Sequence, residues 1–460
     1  MMRIDKNLTF LFAFMLFVCQ LQAQTQFTTG NLVALRVSPN PQAYGQTGPV
    51  TLVEYTPTGS VTGYTVAIPS TDTTRRLLLG GNNSYEGQMT LSNDGRFLCF
   101  VGYDLPNNVT ANPATALSQA NATKVIAKVN KLGVVDITTR IPTTKAFGGT
   151  GVRTVASKDG SGFWVSCSTN DVGTGTLGTH YVVSGATNAT TFINAARSQS
   201  LSIVNGVLYT ANAGLNYYST LPTAAADFVS AGTYNANAIN NTQYVFLDTD
   251  TSKTWNNTPF DVLYVADAAT SNGTTGLGIS KYYVNANAWT LAGVFDVTGS
   301  GTALLAMTGA VVGGKPVLYA VKGNVADNEI ISITDNAARI SPMAVGTTTV
   351  RTLAYAGTDQ FFRGIAFAPR TTLGVATLDE TDKATIFPNP VRTNLIIQLA
   401  NAPNEGSHVE IMNSFGAIVK KQTLTTQATE VNVAELSNGL HIVVMRQKGR
   451  ILSVNKFIKE

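Results

Sequence analysis

Five large polar side chains recur near one position of a repeated segment: Glu86, Gln88, Arg153, Gln199 and Arg363. Aligning the turn dipeptides Asp94-Gly95, Asp159-Gly160 and Asn205-Gly206 sets Gln88, Arg153 and Gln199 at one level, with Glu86 two residues before Gln88. Arg363 opens a later segment of the same kind. Guanidinium forks grip carboxylates and hydroxyl-rich groups through paired N–H donors, so Arg153 and Arg363 would contact an anionic or hydroxyl-rich ligand while Glu86 orients them. The same acid and cations could instead pair with one another and with nearby backbone and seal the interior. The expected ligand-binding set is Glu86, Gln88, Arg153, Gln199 and Arg363.

Other spacings look chemical and fail on their neighbours. Gly309-Ala-Val-Val-Gly-Gly314-Lys315 has the spacing of a phosphate-binding loop, but Pro316 stands where a hydroxyl should hold magnesium and a strand follows where a helix is needed. Gly173-Thr-Gly175-Thr-Leu-Gly178 precedes the strand-like His180-Tyr-Val-Val, so no helix N-terminus awaits a pyrophosphate. Asp248-Thr-Asp250-Thr-Ser252 alternates oxygen ligands like a calcium loop, yet Lys253 and Pro259 occupy the positions that need Gly and Glu. Turn chemistry explains it better. Only three histidines occur, His180, His408 and His441, and there is no Cys-x-x-Cys, His-Glu-x-x-His or Gly-x-Ser-x-Gly. Cys99 and Cys167 sit in apolar words and read as buried thiols. The sequence points to no catalytic residue, no metal site and no cofactor.

These residues need a repeating β scaffold. Val-Leu-Tyr occurs at Val207, Val262 and Val317, at equal spacings of 55 residues. Asp-Gly and Asn-Gly between apolar strands are strong hairpin signals. Each hairpin is followed by another strand pair, such as Lys124-Val-Ile-Ala-Lys-Val with Val135-Asp-Ile-Thr-Thr-Arg-Ile. Four strands per repeating unit is the sequence form of a β-propeller blade. First strands fall near Gln88, Arg153, Gln199, Tyr244, Ala303 and Arg363, which gives six blades, with seven as the alternative and a long sandwich as the competing fold. The last first strand, Arg363-Gly-Ile-Ala-Phe-Ala, lacks following partners. They are expected at the other end of the chain, in Asn31–Val37, Thr51–Tyr55 and Val61–Val66. Pairing first and last strands in one blade would remove open sheet edges.

Charged residues are 13% of the 460 residues, so solubility rests on Thr, Asn, Gly and Ser. This excludes a coiled coil and a charged helical enzyme. The N-terminus carries Arg3 and Lys6, then an apolar run from Phe10 to Cys19, about half the roughly 20 residues needed to cross a bilayer. It reads as a signal peptide, residues 1–23, cleaved after Ala23. Val18 before Cys19 argues against a lipoprotein signal. From Ala384 onward eight Lys/Arg face five Glu; with the single net charge of the leader removed too, residues 24–383 are formally neutral. A neutral body excludes nucleic acid as partner, and no other segment is apolar and long enough for a transmembrane span.

The last 77 residues carry Phe387-Pro-Asn-Pro390-Val, Leu395-Ile-Ile-Gln-Leu, Val409-Glu-Ile-Met-Asn-Ser-Phe-Gly416, Leu436-Ser-Asn-Gly-Leu-His-Ile-Val-Val and Lys456-Phe-Ile-Lys459. In that order they resemble the C-terminal sorting domain of the Bacteroidetes type IX secretion system. The segment departs at His441, where the family usually has Tyr. The whole pattern resembles secreted Bacteroidetes propeller-like proteins with this tail. The resemblance implies export through the periplasm, recognition by the outer-membrane secretion machinery, and release or display at the cell surface. The expected chain is all-β: signal peptide 1–23, six-bladed propeller 24–369, linker 370–383 and a small β-sandwich sorting domain 384–460. A non-enzymatic binding module for a glycan or peptide fits best. Tyr217, Tyr218, Trp255, Tyr282, Tyr283 and Trp289 could stack on a ligand or pack between blades. The alternative is an extracellular propeller enzyme of lactonase, lyase or glycosidase type; fold alone does not decide.

Overall fold

The computed structural model describes residues 26–38, 47–72, 75–80, 86–106, 122–167, 169–212, 214–232, 241–250, 252–253, 255, 259–267, 278–297, 303–323, 327–371, 384–399, 401–403, 406–413, 418–447 and 450–460. The expected signal peptide and most of the expected linker lie outside these residues. The chain divides into two units, residues 1–371 and 372–460. The described residues form an all-β structure without a helix.

In the first unit β1 (Leu32–Val37), β2 (Thr47–Tyr55), β3 (Val61–Ala67) and the unit's last strand β25 (Phe361–Phe367) make one antiparallel set. The set β5 (Thr90–Leu91), β6 (Phe97–Tyr103), β7 (Lys124–Asn130), β8 (Val135–Ile141) is joined to it by β4 (Leu78–Gly80), which pairs with both β2 and β6. Four separate four-stranded sheets follow. The third set is β9 (Val152–Ser157) to β12 (Thr191–Asn194), with β10 (Gly162–Cys167) and β11 (Thr179–Val183) between. The fourth is β13 (Ser200–Val204), β14 (Val207–Asn212), β15 (Gly214–Tyr218), β16 (Val229–Gly232). The fifth is β17 (Asn241–Leu247), β18 (Val262–Asp267), β19 (Gly278–Asn285), β20 (Ala288–Phe295). The sixth is β21 (Leu304–Val312), β22 (Lys315–Lys322), β23 (Glu329–Asp335), β24 (Thr348–Tyr355).

First strands touch in cyclic order: β25, β5, β9, β13, β17, β21 and back to β25. Between successive sets lie six hydrophobic clusters, each fed from two sets. Inner strands are therefore buried on both faces, and their sequences read as unbroken apolar runs rather than alternating ones. In β6, Leu98 and Phe100 face the first set while Cys99 and Val101 face the third. The repeated word has one register throughout. Leu208, Leu263 and Leu318 point to the preceding set, and Tyr209, Tyr264 and Tyr319 to the following one. The β13–β14 turn has both residues at positive φ, Asn205 at 50° and Gly206 at 77°, whereas in the β5–β6 and β9–β10 turns only Gly95 and Gly160 do.

In the second unit β26 (Ala384–Phe387), β27 (Asn394–Leu399) and β30 (Ala428–Asn432) form one sheet. The other holds β28 (Ser407–Met412), β29 (Ile418–Thr423), β31 (Gly439–Gln447) and β32 (Arg450–Lys459). Leu395, Ile397 and Val431 from the first sheet and Val409, Ile411, Val443 and Phe457 from the second share one core.

Candidate functional site

Two glycines bring the predicted polar residues together. At Gly87, φ is 77° and a Cβ would stand 2.7 Å from Leu79 Cδ1 and 3.0 Å from Arg363 Cβ; at Gly364 it would stand 2.6 Å from the Gly87 carbonyl oxygen. Only glycine lets the chain entering β5 lie this close to β25. Glu86 is thereby set beside Tyr103, whose hydroxyl donates to Glu86 Oε1 at 2.7 Å and accepts the Val152 N–H at 3.1 Å. Burial pushes the Glu86 carboxyl up to about 7, against the Tyr103 hydrogen bond and the charges of Arg153 and Arg363. Arg363 lies over the Phe361 ring at 4.5 Å. Lys124, absent from the sequence-based set, has its ammonium 5.8 Å from the Tyr103 ring centre; burial lowers it to about 8, opposed by Glu86 and Cys167.

The sequence left open whether these side chains meet a ligand or seal the interior, and the structure buries them: Glu86 is 1% exposed, Gln88 2%, Gln199 7% and Arg363 1%, with Arg153 partly buried. The charges of Arg153 and Arg363 both act on Glu86. No contact brings Gln88 or Gln199 into that cluster; Gln88 Oε1 is buried and meets no hydrogen-bond donor among the described residues. A central cavity of about 190 Å³ does lie among the first strands, but its wall comes from farther along them. Met89, Leu201, Val245, Met307 and Ile365 line it with Thr90, Ser202 and Gln243, and none of the five predicted residues does.

The loop after β10 shows what its glycines are for. The Asp171 carboxylate accepts the backbone N–H groups of Gly173, Thr174, Gly175, Thr176 and Leu177 at 2.6 to 3.1 Å, and the Thr174 hydroxyl at 3.0 Å. Against the upward push of burial, these donors hold its carboxyl well below the usual carboxylate range. An anion-binding nest exists here, and the chain fills it with its own carboxylate. His180 lies beneath, between the Phe147 and Phe192 rings, bonded to Thr190 Oγ1 and the Leu177 carbonyl, with burial lowering its pKa.

The remaining motifs are structural. Gly313 and Gly314 form the β21–β22 turn, with β22 running on from Lys315. Asp250 Oδ1 accepts the Ser252 N–H and hydroxyl, a local turn. Cys99 and Cys167 are free, buried thiols, and burial pushes Cys99 up to about 12. Tyr209, Tyr244, Phe246, Trp255 and Trp289 pack as one aromatic cluster between the fourth and fifth sets, and Tyr218 and Tyr282 are also buried. His441, in the second unit, stacks on Phe457 at 5.3 Å. Among the described residues no group of three or more His, Cys, Asp or Glu is placed to hold a metal ion, and no helix is long and apolar enough to cross a membrane.

No curated protein matches the chain. Among solved structures it is similar to PorZ, a surface component of the type IX secretion system of Porphyromonas gingivalis, at 13% identity over 89% of this chain and 64% of that one, with a TM-score of 0.31. It is also similar to an extracellular domain from B. thetaiotaomicron, at 11% identity over 95% and 59%, TM-score 0.36. A third is the Malassezia sympodialis allergen Mala s 1, at 13% identity over 63% and 86%, TM-score 0.36. The chain thus spans less than two thirds of the length of the first two. Residues 385–460 match the model of the secretion system C-terminal sorting domain, which marks the chain for the type IX machinery and for export to the cell surface or beyond.

Proposed function

We propose that residues 24–369 form a six-bladed β-propeller, delivered by a cleaved signal peptide and the sorting domain, and acting outside the cell as a non-enzymatic binding or interaction module. Support for the ring comes from β1, which pairs with β2 on one side and with β25 on the other, so that the ends of the unit share one sheet. Support for binding over catalysis comes from the interior acids, whose oxygens are taken up by structural donors. Asp171 serves its own loop, and Glu86 takes the Tyr103 hydroxyl in a sealed position. The near-neutral pKa of Glu86 is the one feature that favours an enzyme. Glu86 is only 1% exposed, so we read Glu86, Arg153 and Arg363 as the seal of the ring, with Gln88 and Gln199 buried outside that cluster. Deleting residues 384–460 should strand a folded propeller in the periplasm; normal amounts in the medium or on the surface would overturn the cargo assignment. Glycan and peptide arrays test the binding reading.

A further inference from the structure

A buried group of charges lies where the fifth and sixth sets meet. A cleft of about 240 Å³ is floored by the ion pair Lys281–Asp335, 2.7 Å apart at 1% and 0% exposure. Asp335 is fully used: Oδ2 takes the Tyr264 hydroxyl at 2.7 Å and the Lys281 ammonium, and Oδ1 takes the Ala337 N–H at 2.9 Å. Asp261, buried behind the wall, accepts the Thr249 N–H and hydroxyl and faces Arg339 Nε at 3.8 Å. Asp250, nearby, is occupied by Ser252.

The cations are less fully used. Arg339 bonds the Val284 carbonyl through Nη1 and lies over the Tyr283 ring, which fixes its plane and leaves further N–H donors on the fork. It lines both this cleft and a second one of about 300 Å³ bounded by Lys253, Asn285 and Asn287. Lys315, exposed at the rim, spends one proton on Asn336 Oδ1. Beside it a Cβ at Gly313 or Gly314 would meet nothing within 4 Å, so the rim is open. Acceptors are spent and donors remain, which selects a ligand rich in acceptors.

We propose that this double cleft binds a small hydroxylated carboxylate, of the kind found in an acidic sugar residue, with Arg339 and Lys315 gripping the carboxylate and the Asn-lined cleft taking hydroxyls. This rests on the binding reading above and names its site. By contrast, the groove of about 480 Å³ beside Asp171 is lined by two acids, Asp171, committed to its own loop, and the exposed Asp227, with no Lys or Arg among the described residues of its wall to grip a carboxylate.

The test titrates the secreted full-length protein with D-glucuronate by calorimetry, with D-glucose and sulfate as controls, and screens the same protein on a glycan array. Glucuronate binding that exceeds both controls and weakens about tenfold in Lys315→Ala, as loss of one charge-assisted contact predicts, supports the site. Arg339→Lys keeps the charge but not the fork and should also weaken it. Glucuronate binding unchanged in Lys315→Ala, in Lys315→Glu and in a folded Arg339→Lys overturns the proposal. So does an array that reports only neutral glycans, which leaves the binding reading standing. An array and a titration that are both silent remove the proposal together with the binding reading.

Discussion

Leu35→Ala tests whether the first unit unfolds as a closed ring. Leu35 sits on β1 with no exposure, opposite Leu52 of β2 and Gly364 of β25, and belongs to the cluster shared by the first two sets. Truncating a fully buried leucine removes its transfer free energy and leaves a cavity, which together cost about 2–5 kcal/mol. At a urea slope near 3 kcal/mol/M, a loss of about 3 kcal/mol moves the midpoint down by about 1 M. The chain's three tryptophans report on distant sets: Trp164 on β10, Trp289 on β20 and Trp255 packed against it. In an open array the damage would stay near β1, and tryptophan fluorescence would hold its wild-type midpoint. In a closed ring the opening of one set strips a neighbour from the sets on both its sides and leaves the rest an open array, so fluorescence and far-ultraviolet dichroism should shift together by the same 1 M. Leu395→Ala, fully buried in the second unit, is the control and should leave the tryptophan transition in place. A Leu35→Ala protein whose tryptophan midpoint does not move would refute the closed ring.

Glu86 should make stability fall as pH rises. Its folded carboxyl holds a proton to about pH 7 and an unfolded one to about 4.5, so the folded chain binds the proton more tightly between those values and loses roughly 3 kcal/mol across them; Glu86→Gln should flatten that slope in melting temperature against pH, and an unchanged slope would count against the assignment. Asp171→Ala orphans five backbone N–H groups, so amide exchange at residues 173–177 should quicken by an order of magnitude or more for a loss of about 1–3 kcal/mol, with Asp171→Asn in between. Cys99 and Cys167 should be silent to a thiol reagent in the native protein and give two equivalents in urea; one equivalent reacting at once in the native state would show that a set opens freely.

The strands were legible because each repeated word meets the same demand. Val-Leu-Tyr must fill the interface behind it with Leu and the one ahead with Tyr, so selection for packing preserves the letters and their spacing. The pairing of β25 with β1 followed from counting, since a first strand without successors at one end matched successors without a first strand at the other. β4 gave no such signal. Three residues, Leu78–Gly80, are too few to show a period, yet they stitch two sets into one nine-stranded sheet.

Side-chain chemistry was legible only where it is local. Asp171 lies two to six residues before every N–H it binds, so its loop could have been read as a turn built around one carboxylate. The Glu86 cluster needed more. Its polar residues were visible at one repeat position, but their burial depends on Gly87 meeting Gly364 between neighbouring sets, a contact between chain segments nearly 280 residues apart. The double cleft was the least visible. Lys281 stands in Ile279-Ser-Lys-Tyr-Tyr-Val, where alternation reads a lysine as solvent-facing, while Asp335 ends β23 in another sheet and Arg339 lies in the turn segment after it. Burying a charged lysine is costly, and a carboxylate from elsewhere at ion-pair distance offsets that cost, as Asp335 does for Lys281 at 2.7 Å. Such a pair carries no periodic mark in either strand, and it was the fold that had to bring its two halves together.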